Sequence, residues 1–262
     1  MFDAIDAFLG MPTVLIVVSV LLLWALIAYS IHRFVVPLLC GTDGRKLGKF
    51  EAEVTSQIAL AFGLLISFNA VWLWDRADRV RGAVFDEAAA LARVVDDADD
   101  LAADGRPEFV ARRDAICRGV KTYVDFLIEK EWPTLSDSST DRARPQALTE
   151  LRAILRASGD DAMRESLADA ETARDIRIRE GLEHMPMSRW GVVFLLAILL
   201  LISIGALHGE APRGRKLALT LVGLAVAFCF AVLFVNARPF VGAYALQPDE
   251  LRKVAFRAAT EH

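Results

Sequence analysis

From Val54 to Trp74 the chain carries no Asp, Glu, Lys or Arg. That is about the length a helix needs to cross a bilayer whose hydrocarbon core is ~30 Å thick. Five charged side chains then arrive together at Asp75, Arg76, Asp78, Arg79 and Arg81, with no proline between Val54 and Ala103. Apolar residues keep helical spacing through Val80, Val84, Ala88, Leu91, Val95, Ala98 and Leu101. Gly63 and Gly82 weaken a helix without ending it. The pattern predicts one helix of roughly 50 residues, about 75 Å long at 1.5 Å per residue. It leaves the membrane and becomes the first arm of a water-facing bundle.

Three further apolar runs, Thr13–Ile31, Trp190–Leu207 and Leu217–Ala237, predict spans one, three and four. Because 55% of the residues are apolar and 24% charged, the two populations must be segregated along the chain. The run at Thr13 lacks the basic start, short apolar core and small-residue cleavage site of a secretory signal, so it is expected to be retained. The soluble segment shows a second arm with Phe109, Ile116, Val120, Tyr123 and Leu127 on one side, which Pro133 is expected to end. A short third helix carries Leu148, Leu151 and Leu155 and is closed by Ser158-Gly159-Asp160. A fourth arm carries Met163, Leu167, Ala170 and Leu182, and Pro186 should kink the entry to span three or restart the helix there.

The predicted fold class is therefore an all-α membrane protein. Four transmembrane helices enclose a helical bundle inserted between spans two and three, and those two spans continue into the bundle. By residue, 1–75 hold spans one and two, 76–188 the bundle, 189–237 spans three and four, and 238–262 an amphipathic C-terminal tail at the membrane face. Trp72, Trp74 and Trp190 fall at one membrane face, which predicts that spans two and three are neighbours.

The expected location is the cell (inner) membrane, crossed several times. The two short loops hold Arg33, Arg45, Lys46, Lys49, Arg213, Arg215 and Lys216, against no Lys or Arg before Thr13. Basic short loops face the cytoplasm, which inclines the bundle to the outer side.

No catalytic set is present: neither GxSxG nor HExxH nor a Cys/His cluster occurs. The chain is expected not to be an enzyme and to need no cofactor or metal. Its net charge of −4, without a basic stripe, implies no nucleic-acid partner. Cys40, Cys117 and Cys229 fit neither a disulfide framework nor a metal site. The GTDGRKLGK stretch at 41–49 lacks the GK[ST] ending of a phosphate loop and reads as a membrane-surface loop. His32 and His208, with Asp43 and Glu210, could meet at one surface. Glu180 and His184 share a helix face, and Asp96-Asp97-Ala98-Asp99-Asp100 lacks EF-hand spacing; each reads first as an ordinary polar surface.

Plotted at 100° per residue, Gln57, Ala61, Leu64, Phe68, Val71 and Asp75 share one face of span two. Repeated around an axis, they give a polar ring, an aromatic constriction and a carboxylate ring, the ingredients of a pore lining. A helix contact with polar ends is the plain alternative. Ala59, Gly63 and Ala70 form a small-residue stripe suited to packing on Gly223, Ala227 and Ala231 of span four. Asn69, beside Phe62 and Ile66, is expected to make an interhelical hydrogen bond. No Asp, Glu, Lys or Arg lies mid-membrane, which argues against a proton relay.

Several separated pieces complete the picture: Ser67-Phe68 followed by Trp72 or Trp74, Glu87-Ala88, Glu131-Trp132-Pro133, and Arg238-Pro239-Phe240-Val241-Gly242. In order and spacing they resemble the bacterial bestrophin-like domain family of four-span membrane proteins. The resemblance marks Glu87, Glu131, Trp132, Pro133, Arg238, Pro239, Phe240 and Gly242 as motif positions. Ala237 stands where that family carries an Asp, and the first loop lacks its His-Asn pair. Likeness to bestrophins implies an oligomeric ion channel, a pentamer by analogy, with Phe68 in the neck and the helical domain in the cytosol. Glu131 is expected to pair with an Arg, and Arg238 to emerge beside Asp75 and Asp78. The alternative function is a membrane-anchored scaffold or sensor whose bundle binds a partner or ligand.

Overall fold

The computed structural model describes residues 11–41, 50–136, 145–183, 185–242 and 245–260. Among them the secondary structure is helical, with no strand, and four helices are long and apolar enough to cross a membrane. The chain forms two compact units, Met1–Asp75 with His184–Arg238, and Arg76–Glu183 with Pro239–His262.

The first unit holds α1 (Thr13–Cys40), the membrane half of α2 (Ala52–Ala102), α6 (Met187–Leu207) and α7 (Pro212–Val235). Its centre is a column of aromatic rings. Trp24 of α1 stacks on Phe230 of α7 at 5.0 Å and on Phe194 of α6 at 5.6 Å, and Trp190 stacks on Phe234 at 4.7 Å. Without a hydrophobic drive between helices in lipid, close packing of such shapes is what holds spans together. Gly205 lets α6 approach α1, because a β-carbon there would lie 2.5 Å from Val36 Cγ2. The Arg189 guanidinium lies 5.5 Å from the Trp72 ring, so the end of span two meets the start of span three.

Two packing expectations fail in this unit. The small stripe of span four meets span one: a β-carbon at Gly223 would lie 3.4 Å from that of Ala28, whereas nothing lies within 4 Å of one at Gly63. Small residues make close approach possible but carry no information about which helix approaches. Asn69 is buried beside Phe62 and Ile66, yet its Nδ2 donates to no partner.

The second unit contains the rest of α2, α3 (Pro107–Phe126), α4 (Gln146–Ser158), α5 (Asp161–Leu182) and α8 (Asp249–Thr260). Pro107 starts α3, where its missing N–H costs nothing. Gly159 ends α4 in the left-handed region, and Asp160 Oδ1 caps α5 by accepting from the amides of Ala162 and Met163. The apolar stripes read from the sequence line the core: Leu91, Val95, Ile116, Val120, Tyr123, Leu151, Leu155 and Met163 are buried together.

Three boundaries differ from expectation. Pro133 does not end the second arm: a π-helical turn, Leu127–Glu131, follows α3, and helix continues over Trp132–Ser136. The wider π turn already lacks the hydrogen bond that a proline would break. Span three restarts at Pro186, one of the two outcomes expected there, so it does not continue unbroken into the bundle: α5 ends at Leu182, Glu183 and Pro186 have extended backbone, and α6 begins at Met187. Residues 249–260 are a helix of the bundle rather than a separate tail. Leu251, Val254 and Ala258 of α8 enter the bundle core, and α8 packs on α3.

Candidate functional site

On the bundle arm of α2, positions 80, 84, 87, 91, 94 and 98 advance by alternating fours and threes, which keeps them on one side of a helix. Five are Val, Leu or Ala, and the sixth is Glu87. On α5 the same alternation runs through Met163, Leu167, Ala170, Arg174 and Arg177. Both seams turn inward, so three charged groups enter the core; the π turn after α3 delivers a fourth, Glu131.

These four side chains form a closed cluster. Arg177 Nε donates to Glu87 Oε2 at 2.7 Å, and its Nη2 donates to Glu131 Oε1 at 2.6 Å and to Glu87 Oε1 at 3.3 Å. Arg174 holds the other oxygen of Glu131, with Nε at 2.8 Å and a further short bond from Nη2. The Tyr123 hydroxyl donates to Glu87 Oε1 at 3.5 Å, and the Trp132 ring lies 5.3 Å from the Arg177 guanidinium carbon. Arg177 and Glu87 have no exposed surface, and the side chains of Arg174 and Glu131 keep only 2% and 3%. Two carboxylates and two guanidiniums balance, which is how charge is tolerated in a core.

Burial raises the Glu87 carboxyl above its ordinary range, against the pull of Arg177 beside it. Burial works against the Arg177 charge as well, but Glu87 and Glu131 outweigh it and raise the guanidinium. Burial, with Glu87 nearby, lifts the Tyr123 hydroxyl well above its usual value. The chemistry open to this cluster is bracing: it ties α2, α5 and the end of the second arm together, and no substrate reaches it. Arg174 and Arg177 are absent from the motif positions above. The signal for them was present, because two arginines continue an apolar heptad seam.

The remaining motif positions clamp the same unit. Trp132 Nε1 donates to the Leu246 carbonyl at 3.3 Å, and the Leu246 amide donates to that of Pro239 at 2.8 Å. Phe240 is buried with Val80, Leu135 and Ile178, and its ring meets Trp132 edge-on at 5.3 Å. Gly181 makes room for it, since a β-carbon there would lie 2.5 Å from Phe240 Cε2. Gly242 turns the chain at φ 94. Pro133 is exposed in its helical turn. Arg76, on the first bundle turn of α2, donates from Nε to the Glu180 carbonyl at 2.7 Å and from Nη2 to the Gly181 carbonyl at 3.0 Å, which satisfies the open end of α5.

In the membrane unit the six residues singled out on span two lie on one open face. Leu64, Phe68 and Val71 are 54%, 59% and 50% exposed, Gln57 and Asp75 are also exposed, and Ala61 is half-buried. The buried side of that helix carries Phe62, Ile66, Asn69 and Leu73, about 140° around from the open face at 100° per residue. Only 22% of the apolar window of α2 is buried, against 50% for span three. Arg238 is half-buried at the end of the unit, and Asp78, in the other unit, accepts from Arg81 at 2.7 Å.

A family model, the Bestrophin-like domain, matches residues 19–251. The chain belongs to that family. No curated protein and no solved structure matches it. With its four apolar helices, this bestrophin-like chain is a multi-pass membrane protein.

Other polar groups of the bestrophin-like chain have local roles. No cluster of three metal-ligating residues occurs among the described residues. In the acidic run, Asp99 accepts from Arg113 at 2.7 Å and Asp96 pairs with Arg257, so cations of α3 and α8 meet it. His32 accepts from Arg215, and His208 Nδ1 lies 3.1 Å from the Ile204 carbonyl. Asp43 and His184, with the 42–49 part of the loop expected at the membrane surface, lie outside the described residues.

Proposed function

We propose that this bestrophin-like chain is a subunit of an oligomeric ion channel in the cell inner membrane, with span two lining the pathway. The observation that carries this reading is the open face of α2. A pore-lining helix must turn one side away from its own protomer, and Gln57, Ala61, Leu64, Phe68, Val71 and Asp75 do so as one strip. Phe68 forms the constriction, Asp75 a carboxylate ring at one mouth, and Gln57 a polar ring at the other. Exposed Ala59 and half-buried Gly63, where nothing lies within 4 Å of a β-carbon, then meet a neighbouring subunit, since small residues let helix backbones come close. A pentamer follows from analogy with bestrophins.

Purified protein in planar bilayers tests the reading. Wild type conducts, Phe68→Ala enlarges the conductance, and Asp75→Asn changes the selectivity between cations and anions. Silence, or conductance indifferent to Phe68→Ala, refutes it. A monomer or dimer in detergent, with no central axis, favours the membrane-anchored scaffold instead. The basic short loops put the bundle outside the cytoplasm in this proposal. Cys117 is buried and cannot report the side, so the test uses Ala111→Cys at an exposed position of α3. Labelling by an impermeant maleimide in intact cells is expected; labelling only after lysis reverses the orientation.

A further inference from the structure

The first unit contains a cleft of about 430 Å³ between α1 and α7. Its volume falls in the roughly 300–1,000 Å³ range of small-ligand sites. The floor is cut by small side chains, Ala25, Ala28, Gly223 and Ala227, with Trp24 at the deep end. Tyr29 and Leu224, both exposed, flank its opening, so it faces sideways out of the unit. At one end stand His32, Arg33 and Lys216, and among the described residues no carboxylate lines it.

Two of the groups at that end are held by neighbouring side chains, and among the described residues none is paired with a carboxylate. Arg215 donates from Nε to His32 Nδ1 at 3.3 Å, adding a third cation behind the two that line the cleft. Arg33 lies 5.5 Å from the ring of Phe34, and Lys216 has no carboxylate partner among the described residues. From Leu21 to Arg33 the helix rises about 18 Å at 1.5 Å per residue. That is close to the depth of one leaflet, half of the ~30 Å hydrocarbon core. An apolar slot one leaflet deep, opening sideways into lipid and crowned by cations at headgroup level, has the shape and charge of an anionic phospholipid.

We infer that the cleft between spans one and four is a binding site for an anionic phospholipid. One acyl chain lies along Ala25, Ala28, Gly223 and Ala227, and the phosphate lies between Arg33 and Lys216. The site is separate from the face proposed to line a pore, and its test does not depend on conduction.

The experiment is native mass spectrometry of delipidated full-length protein in detergent. It is incubated with phosphatidylglycerol or phosphatidylcholine of identical acyl chains, and separately with inorganic phosphate. Wild type retains phosphatidylglycerol in preference to phosphatidylcholine. Arg33→Ala/Lys216→Ala weakens retention about tenfold or more, the loss expected when two basic contacts to an anionic headgroup are removed. Leu224→Trp, which fills the cleft from its open side, displaces the lipid while the oligomer keeps its mass. Equal retention of the two lipids by wild type overturns the inference without reference to any variant. So does an unchanged phosphatidylglycerol adduct in the double variant, or competition by inorganic phosphate alone, which marks a headgroup-only anion site. Dissociation of the oligomer by Leu224→Trp assigns the cleft to a second copy of the chain and also overturns it.

Discussion

Replacing Glu131 by Gln tests the buried charge cluster directly. The two side chains are nearly the same size, so no cavity opens, and the change is one of charge. Glu131 receives Arg174 Nε at 2.8 Å, a shorter bond from Arg174 Nη2, and Arg177 Nη2 at 2.6 Å. Gln keeps one acceptor oxygen but turns an NH₂ toward guanidinium groups that can only donate. Glu131 thus bonds two arginines that have almost no exposure. Removing one partner of a buried ion pair costs about 3–5 kcal/mol. At ~2–4 °C per kcal/mol for a chain of this size, the melting temperature falls by roughly 6–20 °C. The assay is thermal unfolding of full-length protein in detergent, followed by circular dichroism. Asp249→Asn breaks the exposed Asp249–Arg252 pair and serves as control, because surface pairs contribute about 0–1 kcal/mol. Equal shifts for the two variants would refute the claim that the cluster is dry and closed.

Glu87→Gln is the milder variant, and its effect depends on pH. The folded pKa of Glu87 lies above the ordinary 4.5, so the carboxyl's contribution is complete below that value and is lost as pH rises through the folded pKa. Wild type therefore loses stability relative to Glu87→Gln as pH climbs from 4.5 toward neutrality; a constant difference, or one of opposite sign, contradicts this. Gly181→Ala places a β-carbon 2.5 Å from Phe240 Cε2 and costs about 1–3 kcal/mol by overpacking. In urea unfolding, the added change Phe240→Leu recovers part of that loss if the ring is the obstacle, and none if it is not.

Much of this molecule is legible in the sequence because membrane and core each impose a period. Four apolar runs mark the spans, and the stripes at Ile116, Val120, Leu151 and Met163 mark the core, since burial of one face is what organises a helix. Gly159 and Pro186 mark boundaries because backbone chemistry acts locally. What the sequence hid was partnership. Arg174 and Arg177 look like part of a solvated, highly charged helix until Glu87 and Glu131 arrive from chain segments 43–90 residues away. The small stripe of span four advertises close packing without naming Ala28 as its neighbour. Residues 249–260 have the amphipathic pattern of a surface helix, and the same pattern serves a helix that fills a core. The open strip on span two was legible as a strip, because its residues share one side of a helix.

The place of α8 bears on how the protein can be made. Leu251, Val254 and Ala258 belong to the bundle core, yet they are synthesised after Met187–Leu207 and Pro212–Val235. A chain synthesised only as far as residue 183 has the second unit with one wall missing. That wall is supplied only once two more membrane segments have been threaded. The second unit is thus complete only after both later apolar helices have been made, and a chain cut short before α8 leaves an open apolar seam. For the same reason a fragment cut at 76–183 for separate expression lacks its own last helix.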